Sequence, residues 1–231
     1  MKAILISGSY KKIEMPENIV EFIMKKTQKY KICFISADFS DYISNDKYVK
    51  KLIFSFEEHK LKFDEIEIID KRLLKSEMIE AIKNRNIIFL LGGDTLKQIK
   101  SINEYGLKKY IFNDNKIVIG MSAGAINMAN KVILAKDEED NIPELSIYKG
   151  LGITDINIEP HCDFKNNKHW QELEKASFIG KLLIMNDNCY IIIDDNIIHY
   201  YGDYCFLNKG KLFYKDNEMT LENFLKEINY D

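Results

Sequence analysis

The feature that most restricts this chain is a rhythm: short stretches that are apolar almost without interruption alternate with longer amphipathic ones. The short runs are Ala3 to Ile6, Ile32 to Ser36, Ile66 to Ile69, Ile87 to Leu91 and Ile117 to Gly120. A strand with one wet face alternates polar and apolar residues, so unbroken apolarity implies strands covered on both faces, as in a parallel sheet. The stretches between them carry helical periodicity. Pro16 to Thr27 puts proline at an early helical position and Ile19, Val20, Ile23 and Met24 on one stripe, and Lys47 to His59 repeats this with Val49, Leu52, Ile53 and Phe56. Ser76 is placed to cap Glu77 to Lys83, and Thr95 or Asp94 to cap Leu96 to Tyr105. This alternation predicts an α/β fold: a doubly wound, mostly parallel sheet with helices on both faces.

The second half reads differently. Tyr190 to Ile193, Ile197 to Tyr201, Cys205 to Leu207 and Lys211 to Tyr214 are separated by Asp195-Asn196, Gly202-Asp203 and Asn208-Lys209-Gly210. Such punctuation suits hairpins, so a small antiparallel C-terminal extension is expected at one sheet edge, closed by a helix over Leu221 to Ile228. The chain has 231 residues, only three prolines and no Gly/Ser-rich linker, which predicts one domain over residues 1–231.

Composition excludes several classes. With 46% hydrophobic residues the bulk of the chain is not disordered, and a formal net charge of -3 asks for no nucleic-acid partner. Apolar runs such as Tyr190 to Ile193 are too short to cross a bilayer, so no membrane role is expected. Met1-Lys2 leads directly into the first strand with no small-residue cleavage site, unlike a signal peptide. Cys33, Cys162, Cys189 and Cys205 are scattered with no CxxC pair, which fits reduced thiols in a cytoplasmic protein and argues against a metal ribbon. No motif asks for a cofactor. A helical face left without a core would make a homodimer, but periodicity does not separate core from interface.

The segment richest in chemistry is Lys116-Ile-Val-Ile-Gly120-Met121-Ser122-Ala123-Gly124-Ala125-Ile126. An apolar strand runs into a serine bracketed by glycines, and a helix-compatible stretch follows. A serine on such a tight strand-to-helix turn has strained backbone angles and a hydroxyl held above the sheet edge. The first N–H groups of the following helix, beginning at Ala123, have no partner inside the helix and can stabilise an oxyanion. The plain alternative is a serine that merely caps the helix. One strand earlier, Gly92-Gly93-Asp94-Thr95 ends another apolar run. Its backbone can face the same crevice and supply the second half of an oxyanion hole, or it can be an ordinary turn capped by Asp94 or Thr95.

Together these two pieces resemble the paired signatures of peptidase family S51, which includes dipeptidase E and cyanophycinase on a class I glutamine-amidotransferase-like α/β fold. The resemblance implies a serine peptidase acting on small peptides, with Ser122 as nucleophile, Gly92, Gly93, Asp94 and Ala123 around the oxyanion and substrate, and no metal. It points to His161, after Ile156-Asn157-Ile158-Glu159-Pro160, as the base, with His169 in reserve; His59 and His199 read as surface groups. The orienting acid is left between Asp195, favoured, and Asp137, with Asp194 open because a shift of strand register by one residue exchanges the two faces. Family members that cleave after aspartate use an arginine for the substrate carboxylate. Here only Arg72 and Arg85 exist, both ahead of Gly92-Gly93, and Lys165 or Lys168 would have to substitute. Two other readings stand beside the peptidase: an esterase of the α/β-hydrolase type, and a non-catalytic amidotransferase-like binding or regulatory domain.

Overall fold

The computed structural model describes residues 1–8, 13–138, 142–162, 167–195 and 197–214. The five apolar runs are strands β1 (Lys2–Ile6), β2 (Lys31–Ile35), β3 (Glu65–Ile69), β4 (Ile87–Leu90) and β5 (Ile117–Met121). They lie parallel in the order β1-β5-β4-β2-β3. Because successive side chains point to opposite faces, each run feeds two cores. Ile4, Ile6, Ile32, Phe34, Ile87, Phe89 and Ile119 enter one, while Ala3, Leu5, Cys33, Ile35, Ile88, Leu90 and Val118 enter the other. The first core is closed by α1 (Glu17–Lys26) and α2 (Tyr42–Glu58), the second by α3 (Lys75–Asn84), α4 (Thr95–Glu104) and α5 (Lys108–Ile111).

Helix starts differ from expectation where a local cap decides them. α2 begins well before Lys47, because the Asp41 carboxylate accepts from the Ser44 N–H at 3.1 Å. α3 begins at Lys75, and Ser76 lies inside it. There the Glu77 carboxylate reaches back to the Leu74 N–H at 2.7 Å, the reciprocal half of a capping box.

Beyond β5 come α6 (Ala123–Asn127), β6 (Lys131–Leu134), β7 (Ser146–Lys149), β8 (Asn157–Glu159), α7 (Asn167–Ser177) and β9 (Leu182–Met185). Then follow β10 (Tyr190–Asp194), β11 (Ile197–Tyr201), β12 (Tyr204–Asn208) and β13 (Lys211–Tyr214). The antiparallel C-terminal part is present, and it is divided between two sheets. β10 pairs with β1 and β11 with β10, widening the main sheet to seven strands. β12 and β13 instead join β9 and β8 in a four-stranded sheet that packs against α7 through Leu173, Ala176, Leu182, Ile184, Cys205 and Leu207. Gly202, at φ 92°, is the crossing point; a Cβ there would lie 2.7 Å from Cys189 Sγ. β6 and β7 form a separate pair. The expected helix over Leu221 to Ile228 lies outside the described residues. Among the described residues no helix is long and apolar enough to cross a membrane.

Candidate active site

Ser122 sits between β5 and α6 with φ 50° and ψ −116°, a conformation that costs a non-glycine residue about 1–3 kcal/mol. The surroundings enforce it. The Ser122 N–H donates to Ile6 O at 2.8 Å, and its own carbonyl accepts from the Ala125 and Ile126 N–H groups at 2.9 and 3.0 Å. The bracketing glycines are required by close approach. A Cβ on Gly120 would lie 2.7 Å from Ala125 N, and one on Gly124 only 2.2 Å from Leu90 O.

His161 follows β8 with φ 55° and is fixed from two sides: its N–H donates to the buried Ser7 Oγ at 3.0 Å, and the next N–H, of Cys162, donates to Met185 O at 3.1 Å. Its Nε2 lies 3.0 Å from Ser122 Oγ. Its Nδ1 lies 2.7 Å from the Asp187 carboxylate, in the turn between β9 and β10. That turn is tied to the end of β1: the Asn188 N–H donates to Gly8 O and the Ser7 N–H to Cys189 O, both at 2.8 Å. Gly8 leaves room for the ring, since a Cβ there would come within 3.3 Å of His161 Cε1. With Asp187 ionised, Nδ1 carries the proton and donates to it, leaving the Nε2 lone pair for the serine hydroxyl.

The glycine turn reaches the same place. A Cβ on Gly92 would be 3.4 Å from Ser122 Cβ, and Gly93 takes φ 134°. Ala123 opens α6, so its N–H has no partner within the helix. Asp94 has another employment: its carboxylate accepts from the Lys97 N–H at 2.9 Å and caps α4. A cleft of about 340 Å³ opens alongside, bordered by Gly8, Met121 and Asn188, and walled by Met15, Pro16 and Glu17.

Neither expected acid stands behind His161. Asp195 is at the tip of the β10–β11 hairpin, largely exposed, with its carboxylate 2.7 Å from the N-terminal ammonium, which holds it below the usual carboxylate range. The reason is direction. β10 runs antiparallel to β1, pairing Tyr190 with Ile6 and Asp194 with Lys2. Its beginning therefore meets the crevice and its end lies at the opposite edge of the sheet. Asp194 pairs there with Lys26 at 2.6 Å. Asp137 lies 3.4 Å from His169 Nδ1, whose Nε2 is 3.1 Å from Glu159. The ligand atoms of Asp137, Glu159 and His169 come within 4.8 Å of one another. The two ring nitrogens face different carboxylates, which is the arrangement of an imidazole clamped between acids. His59 ends α2, and His199 lies on β11. Arg72 is bound by Asp70 and Asp46, each at 2.7 Å, and Arg85 lies 3.1 Å from Glu65. Lys168 is exposed, and Lys165 lies outside the described residues.

Asp187, the carboxylate beside His161, is a residue that sequence reasoning did not single out. Its only signal is a polar Asn186-Asp187-Asn188 turn at the end of an apolar run, a pattern that many surface turns share.

The sequence model described as peptidase family S51 matches residues 3–201. No curated protein matches the chain. Among solved structures, a peptidase from an acI-B1 Actinobacterium superposes with a TM-score of 0.67 at 14% identity, over 92% of this chain and 96% of that one. A candidate peptidase E from Listeria monocytogenes EGD-e superposes with a TM-score of 0.61 at 16% identity, over 87% of this chain and 97% of that one. At such identities the likeness is one of fold.

Proposed function

Since the chain belongs to peptidase family S51, we propose that it is a serine peptidase hydrolysing small peptides through Ser122, His161 and Asp187. One observation carries this reading: a continuous chain from Ser122 Oγ through His161 to Asp187, with steps of 3.0 and 2.7 Å. A serine hydroxyl is a poor nucleophile at neutral pH and needs an adjacent base. His161 Nε2 takes the hydroxyl proton as Oγ attacks the scissile carbonyl, then gives that proton to the leaving amine. Asp187 holds the ring in the tautomer that leaves Nε2 free and stabilises the imidazolium once formed. The carbonyl oxygen, turning into an oxyanion, is met by backbone N–H groups of the Gly92–Gly93 turn and of Ala123. Water then attacks the acyl-enzyme by the same proton path.

A preference for aspartyl substrates is not favoured. A carboxylate is best held by a free guanidinium fork, and both arginines are engaged by carboxylates of the chain. The order Ser122, His161, Asp187 along the chain also departs from the serine, acid, histidine order of α/β-hydrolase esterases. The test is a dipeptide panel varying the first residue, run on wild type and Ser122→Ala, with a fluorophosphonate probe alongside. Turnover and labelling should both vanish in the variant. Full peptidase activity in Ser122→Ala would reject the assignment, and an unlabelled wild type would leave the serine as a helix cap.

A further inference from the structure

Beneath the Gly92–Gly93 turn runs a buried chain of side-chain amides that the reaction scheme does not use. Gln98 on α4 and Asn127 at the end of α6 are both completely enclosed. The Tyr148 hydroxyl donates to Asn127 Oδ1 at 2.9 Å. Asn127 Nδ2 donates to Gln98 Oε1 at 3.1 Å and to Thr95 O at 2.9 Å. Gln98 Nε2 donates to Leu91 O at 2.9 Å, with Ile35 O at 3.4 Å. The orientation of both amides is dictated by the backbone carbonyls they meet, which can only accept. Burial, with Asp94 nearby, pushes the Tyr148 phenol up, so at neutral pH it remains a donor.

This chain touches both segments proposed to form the oxyanion hole: it ends on Leu91 O, just ahead of the glycine turn, and passes through Asn127 of the elbow helix. Leu91 C=O and Gly92 N–H belong to one planar peptide and point to opposite sides. Anchoring the oxygen on the Gln98 side therefore fixes the plane from which the glycine turn starts, and a Cβ on Gly92 would lie 3.4 Å from Ser122 Cβ. Asn127 closes the short helix whose first N–H is that of Ala123. Both segments meet at Gln98, and Asn127 adds a direct bond to Thr95 O, where α4 begins beyond the turn.

We infer that Gln98, linked through Asn127, is a positioning residue that holds the glycine turn and the elbow helix in register, so that N–H donors from both converge on one oxyanion. This rests on the serine-peptidase reading. A misaimed donor weakens binding of the tetrahedral state and leaves ground-state binding alone.

The test uses Gln98→Met, similar in length and unable to hydrogen-bond, and Tyr148→Phe, which removes one hydroxyl at the far end. The readouts are kcat and KM on a dipeptide, affinity for a peptide aldehyde that forms a hemiacetal with the serine, and Tm. For Gln98→Met the expectation is a roughly 10- to 100-fold lower kcat, a nearly unchanged KM and an aldehyde affinity that falls in step with kcat. Tyr148→Phe should show the same split, several-fold in size. A variant with lowered Tm but wild-type kcat and aldehyde affinity, assayed well below its Tm, would reduce the amide to a structural filler and overturn the inference. Should Gln98→Met fail to fold, Tyr148→Phe decides by the same criterion. Fluorophosphonate labelling of the wild type separates the two failures. An unlabelled Ser122 removes the peptidase reading and this inference together, whereas a labelled wild type with unresponsive variants removes this inference alone.

Discussion

The imidazole of His161 can serve as a base only while its other nitrogen keeps the proton, and that depends on one carboxylate 2.7 Å away. Asp187→Asn preserves size and still fills the turn, but its amide can present an N–H to Nδ1 and favour the wrong tautomer. We expect kcat to fall by about 10⁴, as for an equivalent change in a well-studied serine protease, with little change in Tm. Asp195→Asn should leave kcat within about twofold, since this exposed carboxylate pairs with the N-terminal ammonium at the sheet edge away from His161. A reversal of these two results would restore Asp195. The contrast also says what a sequence can carry at this scale. Ser122 and His161 were legible because glycine brackets and a strand-ending Glu159-Pro160 mark their places. Asp187 was not, because its place beside His161 arises from a strand's direction. Aspartates lie in the turn before β10 and at its end, and the antiparallel pairing with β1 decides which of the two faces Ser7 and Gly8.

Elements meet the site through backbone contacts with no room for a side chain. α6 crosses β4 so closely that a methyl at Gly124 would lie 2.2 Å from Leu90 O, a contact that only a backbone shift could relieve. Gly124→Ala is therefore expected to destabilise the fold by about 3 kcal/mol or more, seen as a large drop in the denaturant midpoint. Gly92→Ala is a useful comparison. Its φ is not left-handed and its nearest new neighbours are 3.4 Å away, so the protein should fold with a loss of about 1 kcal/mol or less. The same methyl stands beside Ser122, so turnover should drop although stability does not. Equal effects of the two substitutions on stability would contradict the packing described here. Periodicity located the strands and helices of the first half because each buries its apolar residues locally. The division of the C-terminal strands between two sheets was hidden. Tyr190 to Ile193 and Cys205 to Leu207 are equally apolar, and only the turn at Gly202, wedged against Cys189, sends the second group elsewhere.

Over the whole molecule, each core holds or borders a group that resists losing its proton, so alkali should test all of them at once. Cys33 lies in one face of the main sheet, where burial pushes its thiol from 9.0 up to about 12 against the pull of Lys116. Cys205 sits in the core under α7 and is also pushed to about 12 by burial, as is the phenol of Tyr48, which packs on the other face of the sheet from 10.0. A group whose pKa is raised on folding keeps a proton that the unfolded chain releases. Its stabilising contribution is complete below the unfolded value and is lost as pH climbs toward the folded one. Each such group adds a slope of up to about 1.4 kcal/mol per pH unit within its window. Lys116 acts in the opposite sense. Burial lowers it from 10.5, so the unfolded chain is the more protonated and stability is gained as pH rises toward 10.5. Burial also raises Tyr148, Cys189, Tyr190 and Tyr204 and lowers Lys108 as it lowers Lys116, so the raised groups outnumber the lowered ones. Tm should therefore be nearly flat from pH 7 to about 8.5 and decline steadily from about pH 9 to 11. Replacing Cys33 and Cys205 together by valine, close in size and suited to strands, removes two of these titrations. The double variant should therefore lose stability distinctly more slowly over that range, whatever its stability at pH 7. Parallel curves for the variant and the wild type would show that alkali unfolds the protein through groups other than these thiols.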